Sequence, residues 1–222
     1  VQNITKQYFI RRALRVAVLI PVAISATACA TWGKKETGGV IGATAGAAAG
    51  AAIGNNNGST ARGAILGAII GGTAGAIIGH QMDQQAKELK DEIPGASVER
   101  IGEGIQLTFA SGLLYDFDSD AVKASAQQNL RNLAESLRKY PETELLIVGH
   151  TDATGADEYN QLLSQRRAMA ASNYLASLGI NSTRLHTAGR GKFEPIATND
   201  TEDGRTQNRR IEVAIYKGGV RP

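Results

Sequence analysis

Asp152 and Arg167 are the residues whose types and placing suggest chemistry most directly. Asp152 lies in GHTDATGADEYNQLLSQRRA, residues 149–168, beside a turn that contains Gly155. Arg167 follows on a stretch with helical spacing. A carboxylate at such a turn can accept from a cationic donor. A guanidinium grips a carboxylate through two parallel N–H groups, which a lysine cannot do. On the residues alone, plainer roles weigh more. Asp is common in turns, and Arg167 next to Arg166 reads as an ordinary surface charge. Catalytic arrangements are poorer still. His150, Asp152 and Ser164 form no nucleophile elbow. His150, Asp152 and His186 lack the close spacing of helical zinc ligands. No enzyme activity, metal or cofactor is expected.

The elements that must hold these residues can be read from periodicity. Ile105, Leu107 and Phe109 alternate with polar residues, as in a half-buried strand. Ala126, Leu130, Leu133, Leu137 and Tyr140 share one helical face. Asp118 or Ser119 is the expected cap of that helix, and Pro141 ends it. Leu145 to Val148 form a continuous apolar run, expected of a strand buried on both sides. A second helix runs from about Asp157 to Leu178 and stops at Gly179. RLHTAG reads as a short third strand, and RRIEVAIY alternates again, after a polar excursion over residues 199–208. The order β-α-β-α-β-β predicts an α+β domain over residues 105–218, with two helices on one face of a four-stranded mixed sheet.

Upstream the chain changes character. Among its 222 residues, with a formal charge of +3, several basic groups precede the apolar run Val16 to Ala28. That run is too short to span a bilayer and fits a secretory signal over residues 1–28. The single cysteine, Cys29, follows it, so an intrachain disulfide is excluded. Glycines then recur at every fourth position from Gly38 to Gly54 and from Gly63 to Gly79. This internal repeat over residues 38–80 predicts a helical hairpin with small-residue faces packed together, in or against a membrane. A flexible Gly/Ala linker is the plainer alternative. Residues 81–104 are expected to be a helical linker, stopped at Pro94-Gly95. The basic clusters QNRR and GRGK lack interleaved aromatics, and a secretory leader removes nucleic acid as a partner.

Several ordered motifs carry a resemblance. TD-ATG, then Asn160, Leu163, Ser164, Arg167 and Ala168, then Pro195 to Asn199, then G-R-x-x-N-R-R-I-E from Gly204 to Glu212, resemble the OmpA-like C-terminal domain. The stretch before Cys29 resembles a bacterial lipobox. Leader, glycine hairpin and C-terminal domain together resemble glycine-zipper lipoproteins of the YiaD type. The resemblance implies a lipid on Cys29 and a periplasm-facing anchor in the outer membrane, with the inner membrane left open. It implies peptidoglycan as the partner, through the diaminopimelate of the stem peptide. That ligand ends in a zwitterion, matched by Asp152 for the ammonium and Arg167 for the carboxylate. By the family pattern Thr151, Asn160, Leu163, Asn208 and Arg209 lie at or near the site. Asn208 has a second reading, holding the excursion onto the last strand. Tyr115 and Phe117 occupy the family's aromatic segment. The rival function is a membrane-inserting oligomer whose working part is the glycine hairpin; self-association is left open.

Overall fold

The computed structural model describes residues 59–71, 76–116 and 118–217. Its elements run α1 (Thr60–Gly71), α2 (Ala76–Glu92), β1 (Ala96–Ile101), β2 (Gly104–Ala110), a one-turn α3 (Ser111–Leu114), α4 (Gln127–Lys139), β3 (Thr143–Gly149), α5 (Asp157–Ser177), β4 (Leu185–Gly189), α6 (Glu202–Asn208) and β5 (Arg210–Lys217). The leader, Cys29 and the first glycine arm lie outside the described residues.

The strands form one mixed sheet in the order β1-β2-β5-β3-β4, parallel only between β3 and β4. Alternation decides which face each residue serves. Ile105, Leu107 and Phe109 of β2, Leu145 and Ile147 of β3, and Ile211, Val213 and Ile215 of β5 share one core. Leu130, Leu133 and Leu137 of α4, Ala168, Ala171 and Leu175 of α5, and Met82, Leu89 and Ile93 of α2 and its end complete that core. Leu146, Val148, Ala214 and Tyr216 point the other way. That second apolar face needs a cover, and α1 supplies it with Ala61, Ala64 and Ile65. Hence every residue of β3 is buried, as its unbroken apolar run predicts.

The α+β class stands as expected, with five strands instead of four. The missed strand is β1, paired antiparallel with β2. It reads weakly because Ser97 and Glu99 are exposed and Val98 is the only large aliphatic side chain before Ile101. The stretch expected to be a helical linker is therefore a helix followed by an edge strand. Helix α4 begins at Gln127, after a 3-10 turn at Ala124–Ala126, and is not capped by Asp118 or Ser119. Residues 115–122 instead form a loop, closed by the Tyr115–Val122 bridge. The polar excursion contains α6, whose first turn is capped by the Thr201 hydroxyl accepting from Gly204 N.

The described start of the second glycine arm is helical. Over its described start it packs on the sheet, with Ala61, Ala64 and Ile65 at most 1% exposed. Gly104 makes this possible: a Cβ there would collide with Ile65. Among the described residues, no helix is long and apolar enough to cross a membrane.

Candidate ligand-binding site

The site begins where β3 ends. Gly149 and Gly189 are register partners at the ends of β3 and β4. A Cβ on either would run into Ser164 or Gln165. The two glycines thus let α5 lie directly on the strand ends. Ser164 uses that closeness: its hydroxyl donates to Gln161 O at 2.8 Å and accepts from Gly191 N at 2.9 Å. Gly191 O in turn accepts from Thr151 N at 2.9 Å. The chain following β3 is pinned to α5 and to the chain following β4.

Asp152 is 8% exposed on this pinned segment. Its Oδ1 accepts from Thr154 N at 2.8 Å and its Oδ2 from Arg209 Nη1 at 2.6 Å. Burial alone would raise its carboxyl, but the hydrogen bonds from Arg209 and Thr154 hold it below the ordinary value. Gly155 takes φ +88°, a left-handed conformation that suits glycine. Asn160 Nδ2 donates to Thr154 O at 2.8 Å and fixes the turn.

Arg167 projects from α5 across the cavity. Its guanidinium stands 5.4 Å from the centroid of the Tyr115 ring, a cation–π distance. Nε donates to Ser119 O at 2.8 Å and Nη2 to Asp116 O at 3.3 Å. Tyr115 closes the arrangement by donating to Arg167 O at 2.6 Å. Among the described residues, Nη1 of Arg167 has no hydrogen-bond partner, and Arg167 forms no ion pair with Asp152. Burial lowers the pKa of Arg167 and raises that of the Tyr115 phenol, the latter against the pull of the Arg167 charge.

These groups line a cavity of about 660 Å³. Thr151, Asp152, Asn160, Leu163, Arg167 and Arg209 all border it. Asn208 does not. It is fully buried, with Oδ1 accepting from Ile196 N and Ala197 N and Nδ2 donating to Ala197 O and Asn199 Oδ1. Asn199 Oδ1 also accepts from Ala153 N, so Asn208 braces the excursion against the Asp152 turn.

The cavity includes residues that the sequence reading did not single out for the site. Asp116 and Asp118 come from the 115–122 loop, Tyr159 from α5, and Glu202 and Arg205 from α6. Tyr159 donates to Asp118 Oδ1 across the mouth. Arg209 Nη2 donates to Glu202 Oε1 and Thr206 Oγ1, both at 2.6 Å. Burial alone would lower the Arg209 pKa, but its bonds to Asp152 and Glu202 raise it. No local pattern announces these residues, because the loop and α6 meet α5 only in three dimensions.

His150, Asp152 and Ser164 share no hydrogen bond with one another. The Ser164 hydroxyl is committed to backbone partners. His150 is fully buried, 3.8 Å from Glu212 Oε2. Burial, then the charges of Arg210 and Arg190, push its pKa well down. His186 pairs with a different carboxylate, Glu144, at 3.2 Å.

Comparison with known proteins follows the same division of the chain. The OmpA family model matches residues 114–209, and a YMGG-like Gly-zipper model matches residues 10–83. Over 139 residues the chain is 36% identical to the probable lipoprotein YiaD of Escherichia coli (strain K12), covering 62% of this chain and 64% of that protein. It is 34% identical over 125 residues to the peptidoglycan-associated lipoprotein of Brucella melitensis biotype 1, covering 56% of this chain and 74% of that one. Among solved structures, the cell wall anchor of the T6SS from Pseudomonas aeruginosa matches with a TM-score of 0.54 at 30% identity. That match covers 60% of this chain and 96% of the anchor. The chain spans just under two thirds of the Escherichia coli relative's length.

Proposed function

Because the chain belongs to the OmpA family, we propose that it is a non-catalytic envelope protein that tethers a membrane to peptidoglycan. The observation that carries this reading is the cavity between Asp152 and Arg167. It offers one fixed anion and one guanidinium whose Nη1 has no hydrogen-bond partner among the described residues. The zwitterionic end of diaminopimelate has the matching ends. Its ammonium donates to the Asp152 carboxylate, which keeps acceptor capacity beyond Thr154 and Arg209. Its carboxylate meets the Nη1 and Nη2 edge of Arg167, whose Nε is already held by Ser119 O. Arg209 and Glu202 continue the charge lattice along the cavity wall. The names of the Brucella relative and of the Pseudomonas anchor support cell wall as the partner.

The membrane end of the tether is the lipid proposed on Cys29, at the outer membrane, with residues 1–28 removed as a leader. The membrane-inserting oligomer is the less favoured reading, since the apolar face of α1 is buried on the sheet.

The test is sedimentation of the full chain with diaminopimelate-type and lysine-type peptidoglycan. Asp152→Ala and Arg167→Ala are each expected to weaken binding about 10- to 150-fold, as losing one charge-assisted contact of roughly 1.5–3 kcal/mol implies. Folded variants that sediment like the parent would remove both residues from the site.

A further inference from the structure

Helix α1 covers the apolar part of the second sheet face; beside it the same face is polar. Alternation puts Ser97 and Glu99 of β1, Gln106 and Thr108 of β2, and Glu212 of β5 there, opposite the main core. Register makes Ser97, Thr108 and Glu212 one row across the strands, and Glu99 and Gln106 another. These rows floor a cavity of about 520 Å³, walled by Ser59 and Arg62 and by Ile196. It shares no lining residue with the Asp152 cavity.

Polar groups are costly to bury unless they are hydrogen-bonded. Gln106 is 6% exposed. Its Oε1 accepts from Arg62 Nε at 3.1 Å, but its Nε2 has no hydrogen-bond partner among the described residues. Glu212 is 3% exposed. Its Oε1 accepts from Arg210 Nε at 2.8 Å, while Oε2 has no hydrogen-bond partner and stands 3.8 Å from His150 Nε2. The hydroxyls of Ser97 and Thr108 are also unpartnered among the described residues. Charge does not dominate the wall, since Arg62 pairs with Glu99 and Arg210 with Glu212. What remains is an amide donor, hydroxyls that both donate and accept, and carboxylate acceptors, beside the exposed aliphatic side chain of Ile196. An ion finds no matching excess of charge here. A neutral ligand with hydroxyls, an amide and an apolar patch does find its complement, and an N-acetylated sugar has all three. Its acetamido carbonyl suits Gln106 Nε2, its amide N–H suits a carboxylate, its ring hydroxyls suit Ser97 and Thr108, and its methyl suits Ile196.

We propose that this cavity is a subsite for the N-acetylated sugars of the glycan strand, so that the protein holds both the peptide and the glycan of one polymer. The proposal rests on the peptidoglycan reading and adds a second contact to it. Strand β5 links the two: Arg209, just before it, borders the Asp152 cavity, and Glu212 borders this one. Two contacts made by one polymer raise the overall affinity above that of either alone.

The test titrates chitotetraose, an N-acetylglucosamine oligomer, into the full chain by calorimetry. The oligomer carries no diaminopimelate, so its binding is independent of Asp152 and Arg167, and free diaminopimelate titrated separately reports on the peptide reading. The parent is expected to bind chitotetraose more tightly than cellotetraose, which has the same linkage and no acetamido groups. Thr108→Val removes one hydroxyl at constant shape and should weaken binding about 2- to 10-fold. Ser97→Phe, at an exposed position of β1, should fill the cavity and abolish binding. Both variants should bind diaminopimelate like the parent, which also shows that they are folded. Peptide-free glycan strands should bind with the same dependence on Ser97. Failure of the parent to bind chitotetraose overturns the proposal, as does equal binding of cellotetraose or full binding by folded Ser97→Phe. Chitotetraose bound without glycan strands overturns the assignment to peptidoglycan and points to another N-acetylated sugar. Should Ser97→Phe unfold, Thr108→Val decides, and unchanged affinity there overturns the proposal.

Discussion

At the scale of single residues, Asp152 and Arg209 give a pH signature. Arg209 is the main influence lowering the Asp152 carboxyl, and burial opposes it. A depressed carboxylate contributes stability above its unfolded value, and that contribution fades as pH falls through the folded value. In the parent, binding of free diaminopimelate is therefore expected to persist as pH drops past 3.8, the ordinary Asp value. In Arg209→Ala, burial is opposed only by the Thr154 hydrogen bonds, so the acid limb should move to higher pH. Titration calorimetry of both proteins from about pH 3 to pH 7 checks this; coincident acid limbs would show that Arg209 does not set the Asp152 charge. Arg167 also has a structural part, since it ties Ser119 O and Asp116 O to α5. Arg167→Lys should lose the fork and loosen that loop, lowering stability by about 1–3 kcal/mol in denaturant melts. Asp152 and Arg167 were legible because they sit in an ordered run of motif residues. Asp118, Tyr159 and Glu202 were not, because they reach the cavity from segments whose meeting depends on the fold of the 115–122 loop and α6.

At the scale of elements, the position of α5 depends on glycines that a periodicity reading passes over. Gly149→Ala would press a methyl group onto the Ser164 carbonyl. Either α5 or the end of β3 must move, at about 1–3 kcal/mol, and Arg167 moves with α5 relative to Asp152. Gly112→Ala is the control, since a Cβ there meets nothing within 4 Å. The expected outcome is a lowered melting point for Gly149→Ala only, accompanied in that variant by weakened ligand binding. If both variants melt alike, the close approach of α5 is not limiting. The strands β2, β3 and β5 were legible because their burial follows alternation or an unbroken apolar run. The edge strand β1 was not, because its half-exposed residues carry little apolar contrast. Helix α6 is short and polar, and its only local mark is the cap residue Thr201.

At the scale of the molecule, the folded unit reaches further upstream than the motifs suggested. Met82, Ala86, Leu89 and Ile93 belong to the main core, and α1 covers the other face. A fragment beginning at Ile105 loses all of these and bares the edge of β2. It is expected to be less stable by about 5 kcal/mol or more than a fragment beginning at Ser59, at roughly 1.5–3 kcal/mol per large apolar side chain. Thermal melts of the two fragments check this, and equal melting points would mean that the upstream helices only rest on the domain. The sequence showed a change of composition near residue 81, but composition does not tell whether a helix leads to a domain or belongs to it. The edges of the sheet carry a final consequence. On β1, Glu99 pairs with Arg62 at 3.2 Å and Arg100 with Asp83 at 2.7 Å. At the far edge β4 is only five residues long. Short or charged margins oppose strand-to-strand addition and the growth of fibrils. Crowded on a surface, copies of this chain find at neither border of the described sheet a long, uncharged backbone ladder to extend.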